Sequence, residues 1–265
     1  MKNGVPQSPK WSVGIITAPR KGVSHIDKTL QCLINAGWNN IVVFAEPNSP
    51  IPLDSSIPVV QRPRFFGDWT NWATGLYELL LSEPDSDYFF MAEDDGVICK
   101  GAKSYLDQVL PILGDFATVS PYCPNKHRRK NFIGFHNECI GWETWSTLTV
   151  IMSKESVIRF FSDSDVQRHR FEHIFPVPAD QIPWGVEVDP KNSVKDAVLG
   201  LWAAKNGLPM YYHSPSLVQH IGMTSTLTSK TTTEANLAFD FVGEDFEPNW
   251  EGVKVLPFTN GMLKL

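Results

Sequence analysis

The 265 residues fit one large domain or two small ones, enough to bury a substantial core without disulfide staples. With 42% apolar, 12% aromatic and 20% charged residues, the composition excludes disorder over the whole length. A net charge of −6 speaks against general attraction to nucleic acid or anionic lipid and leaves room only for a local patch.

Residues 12–17 form an apolar run closed by Pro19, which predicts a buried strand. A helix is expected over 24–36. Ser24 and Asp27 have capping-box spacing, Ile26, Leu30, Leu33 and Ile34 share a face, and Gly37 ends it. Ile41–Ala45 predicts a second strand, and Val59–Gln61 a short one within the proline-rich stretch 51–67. Asp68 is placed to cap a helix carrying Trp69, Trp72, Ala73, Leu76, Leu79 and Leu80. A third strong strand, Tyr88–Met91, runs into Ala92, Glu93, Asp94, Asp95 and Gly96. This alternation predicts a parallel sheet with right-handed crossovers. Ligands of such sheets sit at the carboxyl ends of the strands, a rule that gathers Thr17, Ala18, Pro19, Arg20, Glu46 and Glu93 to Asp95 at one crevice.

The second half is less regular. Residues 123–147 read as loops beside a strand near 146–152, and Ser153 can cap a short helix reaching Phe161. Residues 163–191, with four prolines, read as a long surface excursion. A helix fits 193–206, ended by Gly207, and a strand fits 209–212. The tail opens with a Thr/Ser-rich stretch, 224–233.

Glu93, Asp94 and Asp95 are the most informative feature. Three consecutive carboxylates repel one another, so folding alone gives no reason to cluster them. A hard divalent cation does, because Mg²⁺ or Mn²⁺ takes oxygen ligands and bridges to phosphates. The competing reading is a polar turn that follows a strand.

Several of these features, taken in order, resemble the GT-A glycosyltransferases. They are the first strand ending in Thr17 to Arg20, the acidic Glu46 after the second, the third running into Glu93-Asp94-Asp95, and the segment Pro215 to Gly222. The nearest resemblance is to N-acetylglucosaminyltransferase-like enzymes whose acidic motif reads E-D-D, and it covers about residues 12–222. It implies a Rossmann-like α/β fold with a mostly parallel central sheet flanked by helices and a mixed acceptor-binding half. The nucleotide-sugar half would be 1–122, the acceptor-binding and catalytic half of the same domain 123–222, and the tail 223–265.

The implied activity is metal-dependent transfer of a sugar from a nucleotide diphosphate sugar, a UDP-sugar by analogy, to a hydroxyl acceptor with inversion. Asp95 would bind Mn²⁺ or Mg²⁺ and His220 would complete the metal shell. Glu93 and Asp94 would support the metal or the donor's ribose and sugar, Arg20 would face the diphosphate or base, and Glu46 the ribose or uracil. Trp142 falls in a glycine-containing stretch that resembles the loop where donor and acceptor meet. The base would be Asp196, at the start of a late helix, with Glu187 and Asp189 as the alternatives. Ser193 and Asp196 also have capping-box spacing, which is the plain structural reading of that carboxylate.

Two rivals share the pattern: a Mg²⁺-dependent nucleotidyltransferase or phosphodiesterase, and a non-catalytic carbohydrate-binding module on a transferase fold. The acceptor stays open among glycan, lipid-linked sugar, protein and modified nucleic acid, and so does the oligomeric state. The basic run Lys126 to Lys130 reads first as a solvated loop, with a phosphorylated acceptor, lipid head group or DNA as its functional alternatives. Cys32, Cys99, Cys123 and Cys139 lack C-x-x-C spacing and read as buried reduced thiols. The longest uncharged apolar run, Tyr88–Ala92, is far below the roughly 20 residues that span a bilayer. With no apolar N-terminal signal, a cytoplasmic protein is expected.

Overall fold

The apolar runs become the centre of a nine-stranded sheet in a computed structural model of the chain, which describes residues 8–20, 22–137, 148–172, 195–222 and 236–256. The strands are β1 (Trp11–Thr17), β2 (Ile41–Ala45), β3 (Val59–Gln61), β4 (Tyr88–Glu93), β5 (Gly96–Ile98), β6 (Thr118–Ser120), β7 (Gly134–Asn137), β8 (Thr149–Ser153), β9 (Met210–Ser214), β10 (Val218–His220) and β11 (Lys254–Val255). The helices are α1 (Ile26–Asn35), α2 (Gly67–Ser82), α3 (Ala102–Val109), α4 (Lys154–Ser162), α5 (Ser164–Glu172) and α6 (Lys195–Lys205).

The sheet runs β11-β7-β9-β6-β8-β4-β1-β2-β3. β3, β2, β1 and β4 are mutually parallel, as expected from the alternating strands and helices. β8 is antiparallel to both β4 and β6, so β6 and its parallel neighbour β9 point the same way as β4. The carboxyl ends of β1, β2, β4, β6 and β9 therefore share one edge. β5 and β10 form a separate antiparallel pair at that edge. This is an α/β architecture with a mostly parallel central sheet flanked by helices.

Side chains alternate across the sheet as its pleat requires. Val13, Ile15, Phe90 and Ala92 pack with α1 and α3, whereas Ile16, Phe89 and Met91 pack with α2, α4 and α6. Phe89 and Phe90 are both fully buried, and each such side chain contributes roughly 1.5–3 kcal/mol by leaving water.

Helix ends differ from the sequence expectation in instructive ways. Ile34 is 42% exposed, because the face of α1 is set by Ile26, Thr29, Leu30 and Leu33, and Ile34 falls beside it. Asp27 forms no capping box; its carboxylate accepts from the Leu53 amide at 2.9 Å and ties down the next loop. Asp68 is no cap either and lies within the first turn of α2. The amides at the start of that helix are met instead by Glu46 from the end of β2. Ser153 does cap α4, accepting from Ser156 N at 3.1 Å. The surface excursion expected over 163–191 is corrected at its start, where 164–172 form α5; an Asp163 oxygen accepts from Asp165 N at 2.9 Å and starts the turn.

Two buried histidines join β7 and β9. His213 Nδ1 lies 2.7 Å from the Pro215 carbonyl and must donate to it, so Nε2 accepts from the Tyr105 hydroxyl at 2.7 Å. His136 Nε2 lies 2.9 Å from Ser214 Oγ. Burial pushes both imidazoles down to about 4, with repulsion from Arg129 adding to it at His136 and from His136 at His213. The unfolded chain, with ordinary histidines near 6.5, takes up protons first as pH falls. Stability is therefore full above about 6.5 and is lost toward 4. Urea midpoints at pH 7, 5.5 and 4.5 should fall steadily, with a shallower fall in His136→Asn; a slope unchanged by that substitution would exclude His136 from the effect.

Candidate functional site

The site grows from the edge where β1, β2 and β4 end. Beyond β1 the chain passes through Ala18 and Pro19 to Arg20; beyond β4 it turns at Asp94 and Asp95 into β5. Parallel pairing of β1 with β4, Ile16 opposite Glu93, sets the two loops side by side. Thr17, Ala18, Pro19, Arg20, Glu46, Glu93 and Asp94 line one crevice of about 160 Å³, together with Phe65, Gly67, Asp68 and Asn71.

Asp94 accepts from Thr17 Oγ1 at 2.6 Å and from Arg20 Nε at 3.1 Å, and pairs with the Arg20 Nη2 group. Its main-chain carbonyl accepts from Thr29 Oγ1 at 2.9 Å, anchoring the turn to α1. Burial raises the Asp94 carboxyl, although Arg20 and Thr17 oppose the shift. Arg20 Nη2 also lies 2.8 Å from Asp95 Oδ2, and these two carboxylates hold the guanidinium charged against its burial.

Asp95 and His220 are not part of the crevice lining; they stand behind it. His220 Nε2 is 3.1 Å from Asp95 Oδ2, brought there by β10 pairing with β5, His220 opposite Gly96. Burial alone would raise Asp95, but His220 and Arg20 outweigh it and hold the carboxyl down at about 2. Burial likewise disfavours a charged His220, and Asp95 reverses that, raising the imidazole. Asp95 Oδ1 is buried and has no hydrogen-bond partner among the described residues. Gly222 presses its backbone against this pair; a Cβ there would fall 2.1 Å from Asp95 Oδ2 and 3.0 Å from His220 Nε2.

Glu46, only 2% exposed, accepts from Phe66 N at 2.9 Å and Gly67 N at 2.9 Å. Burial raises its pKa, with those amides and Arg62 pulling the other way. Glu93 accepts from Lys195 Nζ at 2.6 Å, and Lys195 donates to Asp68 at the same distance. Lys195 is 2% exposed, and Asp68 and Glu93 keep it protonated despite that burial. Burial, joined by Asp95 and Asp68, pushes Glu93 up to about 7 against the pull of Lys195, while 30% of its side chain stays open to the crevice.

Asp196 follows Lys195 in the first turn of α6. Burial raises the hydroxyl of Tyr122, and the charges of Glu93, Asp196 and Asp95 add to that shift. Trp142, Glu187, Asp189 and Ser193 lie outside the described residues, as does Cys139; Cys32, Cys99 and Cys123 are buried. Sequence reading missed Lys195, Tyr122 and Thr29. The first joins residues 127 and 102 positions away, and no local pattern announces such a pair.

A divalent cation fits these residues with one condition. Asp95 offers an oxygen with no hydrogen-bond partner among the described residues, and His220 a nitrogen beside it. Among the described residues, however, no group of three or more His, Cys, Asp or Glu side chains is gathered to hold a metal. Phosphate oxygens of a ligand would have to complete the shell, the usual habit of Mg²⁺ in phosphate sites. Among the described residues no helix is long and apolar enough to cross a membrane.

No protein-family model and no curated protein matches the sequence. Among solved structures, a crystal structure of S. aureus TarS, a glycosyltransferase, is similar over 81% of this chain and 37% of that one, at a TM-score of 0.46 and 11% identity. The chain thus spans well under half the length of that protein. At this distance no residue role transfers from it.

Proposed function

We propose that the chain is a metal-dependent glycosyltransferase that moves a sugar from a nucleotide diphosphate sugar, a UDP-sugar, to a hydroxyl acceptor with inversion. The reading is carried by the buried Asp94–Asp95 pair at the end of β4, with the Asp95 Oδ1 atom, next to His220 and Arg20, lacking a hydrogen-bond partner among the described residues. The electrostatics support it. Among the described residues in and behind the crevice, Glu46, Asp68, Glu93, Asp94 and Asp95 outnumber Arg20, Lys195 and His220, so a diphosphate would be repelled unless a cation arrived with it.

Asp95 and His220 would hold Mn²⁺ or Mg²⁺, which supplies positive charge to a diphosphate leaving group when bound. Thr17 and Asp94 fix the reach of Arg20, leaving its guanidinium at the crevice wall to meet the diphosphate. Glu46, immobilised by two amides, would accept from the ribose or base. Asp196 would take the acceptor hydroxyl's proton while the new bond to the anomeric carbon forms and the bond to the diphosphate breaks, through a transition state of oxocarbenium character.

The test is product identity. Incubated with Mn²⁺, a UDP-sugar or GDP-sugar and an acceptor set, the protein should release the nucleoside diphosphate. Pyrophosphate release would assign it to the nucleotidyltransferases. Tight sugar binding without turnover on any acceptor would make it a binding module.

A further inference from the structure

We propose that the basic turn at residues 126–130 forms a second binding site, for a phosphate group carried by the acceptor; this rests on the transferase reading above. On a chain of net charge −6, Lys126, Arg128, Arg129 and Lys130 concentrate four positive charges within five consecutive positions. The fold turns this run into a wall. Arg128, Arg129 and Lys130 line an open cavity of about 530 Å³ with Phe132, Pro215 and a single carboxylate, Asp240. Asp240 is already engaged, accepting from Ser216 N at 3.3 Å.

The cations are presented by a braced scaffold. His127 N donates to the Pro124 carbonyl at 2.9 Å, the His127 ring stacks on Tyr212 at 5.0 Å, and Arg129 N donates to Ser214 Oγ at 3.3 Å. Guanidinium groups held near an ammonium suit the oxygens of a phosphate, to which arginine binds through paired N–H donors. The concave shape favours a discrete phosphate on an acceptor molecule over the plane of an anionic bilayer.

Topology puts the cavity within reach of the chemistry. Pro215 follows β9, whose carboxyl end lies on the same sheet edge as that of β4. Three strand spacings separate β9 from β4, about 14 Å. Along the chain, β10 leads from Pro215 to His220, a span of at most about 17 Å. A phosphate-bearing acceptor anchored at the turn would therefore extend along the edge toward the donor crevice.

The experiment uses the full chain in EDTA with inorganic phosphate as the probe, followed by calorimetry or ³¹P NMR. Arg128→Gln/Lys130→Gln should weaken phosphate binding at least tenfold while its melting temperature stays that of wild type. Unchanged phosphate affinity in the double variant would overturn the proposal, as would loss of phosphate binding in Arg20→Gln, which would place the ion in the donor crevice. Phosphatidylglycerol vesicles form the second arm; binding to them without binding of free phosphate would replace the proposed site by a membrane-facing surface. A separate titration of wild type with Mn²⁺ and UDP reads the transferase assignment alone, so its failure is distinguishable from failure of the phosphate site.

Discussion

Asp95→Asn should abolish Mn²⁺-dependent binding of UDP, with a loss beyond the roughly 100-fold that changes in the outer shell of a metal reach at their upper end. The substitution keeps the side chain's shape and removes the anion that His220 and Arg20 both face. Arg20 keeps Asp94 as a partner, so the fold should survive, and a melting curve checks that. Gly222→Ala supplies the same answer without changing charge. Its Cβ would enter the space 2.1 Å from Asp95 Oδ2, displacing the carboxylate and imidazole from each other. Both variants should lose the difference between titrations with Mn²⁺ and with EDTA. Wild-type affinity that is already equal under the two conditions would remove the cation, and with it the proposed use of Asp95 and His220.

The parts of this site that were legible in the sequence are those written locally. β1, β2 and β4 announce themselves as continuous apolar runs, since strands covered on both faces carry no polar alternation. Once those strands were placed, the carboxyl-end rule was enough to bring Thr17, Arg20, Glu46 and Asp94 to one crevice. β6, β7 and β10 could not be read the same way. Each is three or four residues long and carries polar groups such as Ser120, His136 and Gln219, too few positions to display a period. β5 and α3 were hidden for a related reason: the chain after Asp95 looks like turn and linker, and only pairing with β10 makes Gly96–Ile98 a strand.

Capping shows the same limit from another side. Ser153 is a local cap and was found by its position alone, whereas Glu46 serves α2 from a strand 20 residues earlier. Asp68, free of the capping duty its position suggested, is available to hold Lys195. Long-range ion pairs of this kind are products of the fold and leave no trace in spacing. They also explain how an acidic tip can stay buried: Glu93 has Lys195, Asp94 has Arg20 and Thr17, and Asp95 has Arg20 and His220. Of these three carboxylates, only Asp95 keeps a buried oxygen with no hydrogen-bond partner among the described residues.

Asp196→Asn carries the second large effect, and it should separate chemistry from binding. Turnover should fall by roughly 100-fold or more, the contribution typical of a positioned general base, while UDP affinity in the presence of Mn²⁺ stays at the wild-type value. The split is expected because Asp196 enters the site from the first turn of α6, on a different element from Asp95 and His220, the residues proposed to hold the cation. That turn is held by Lys195, whose ammonium is bound at 2.6 Å to both Asp68 and Glu93. The helix thus starts at a fixed point beside the acidic tip, and the residue after Lys195 is fixed with it. Positioning of this kind lets a carboxylate act as base, because the acceptor hydroxyl becomes acidic only as its bond to the anomeric carbon forms. A joint fall in turnover and UDP affinity would make Asp196 part of the donor site. Unaltered turnover would transfer the role of base to Glu187 or Asp189, and the same pair of measurements on their amide variants would then decide between them.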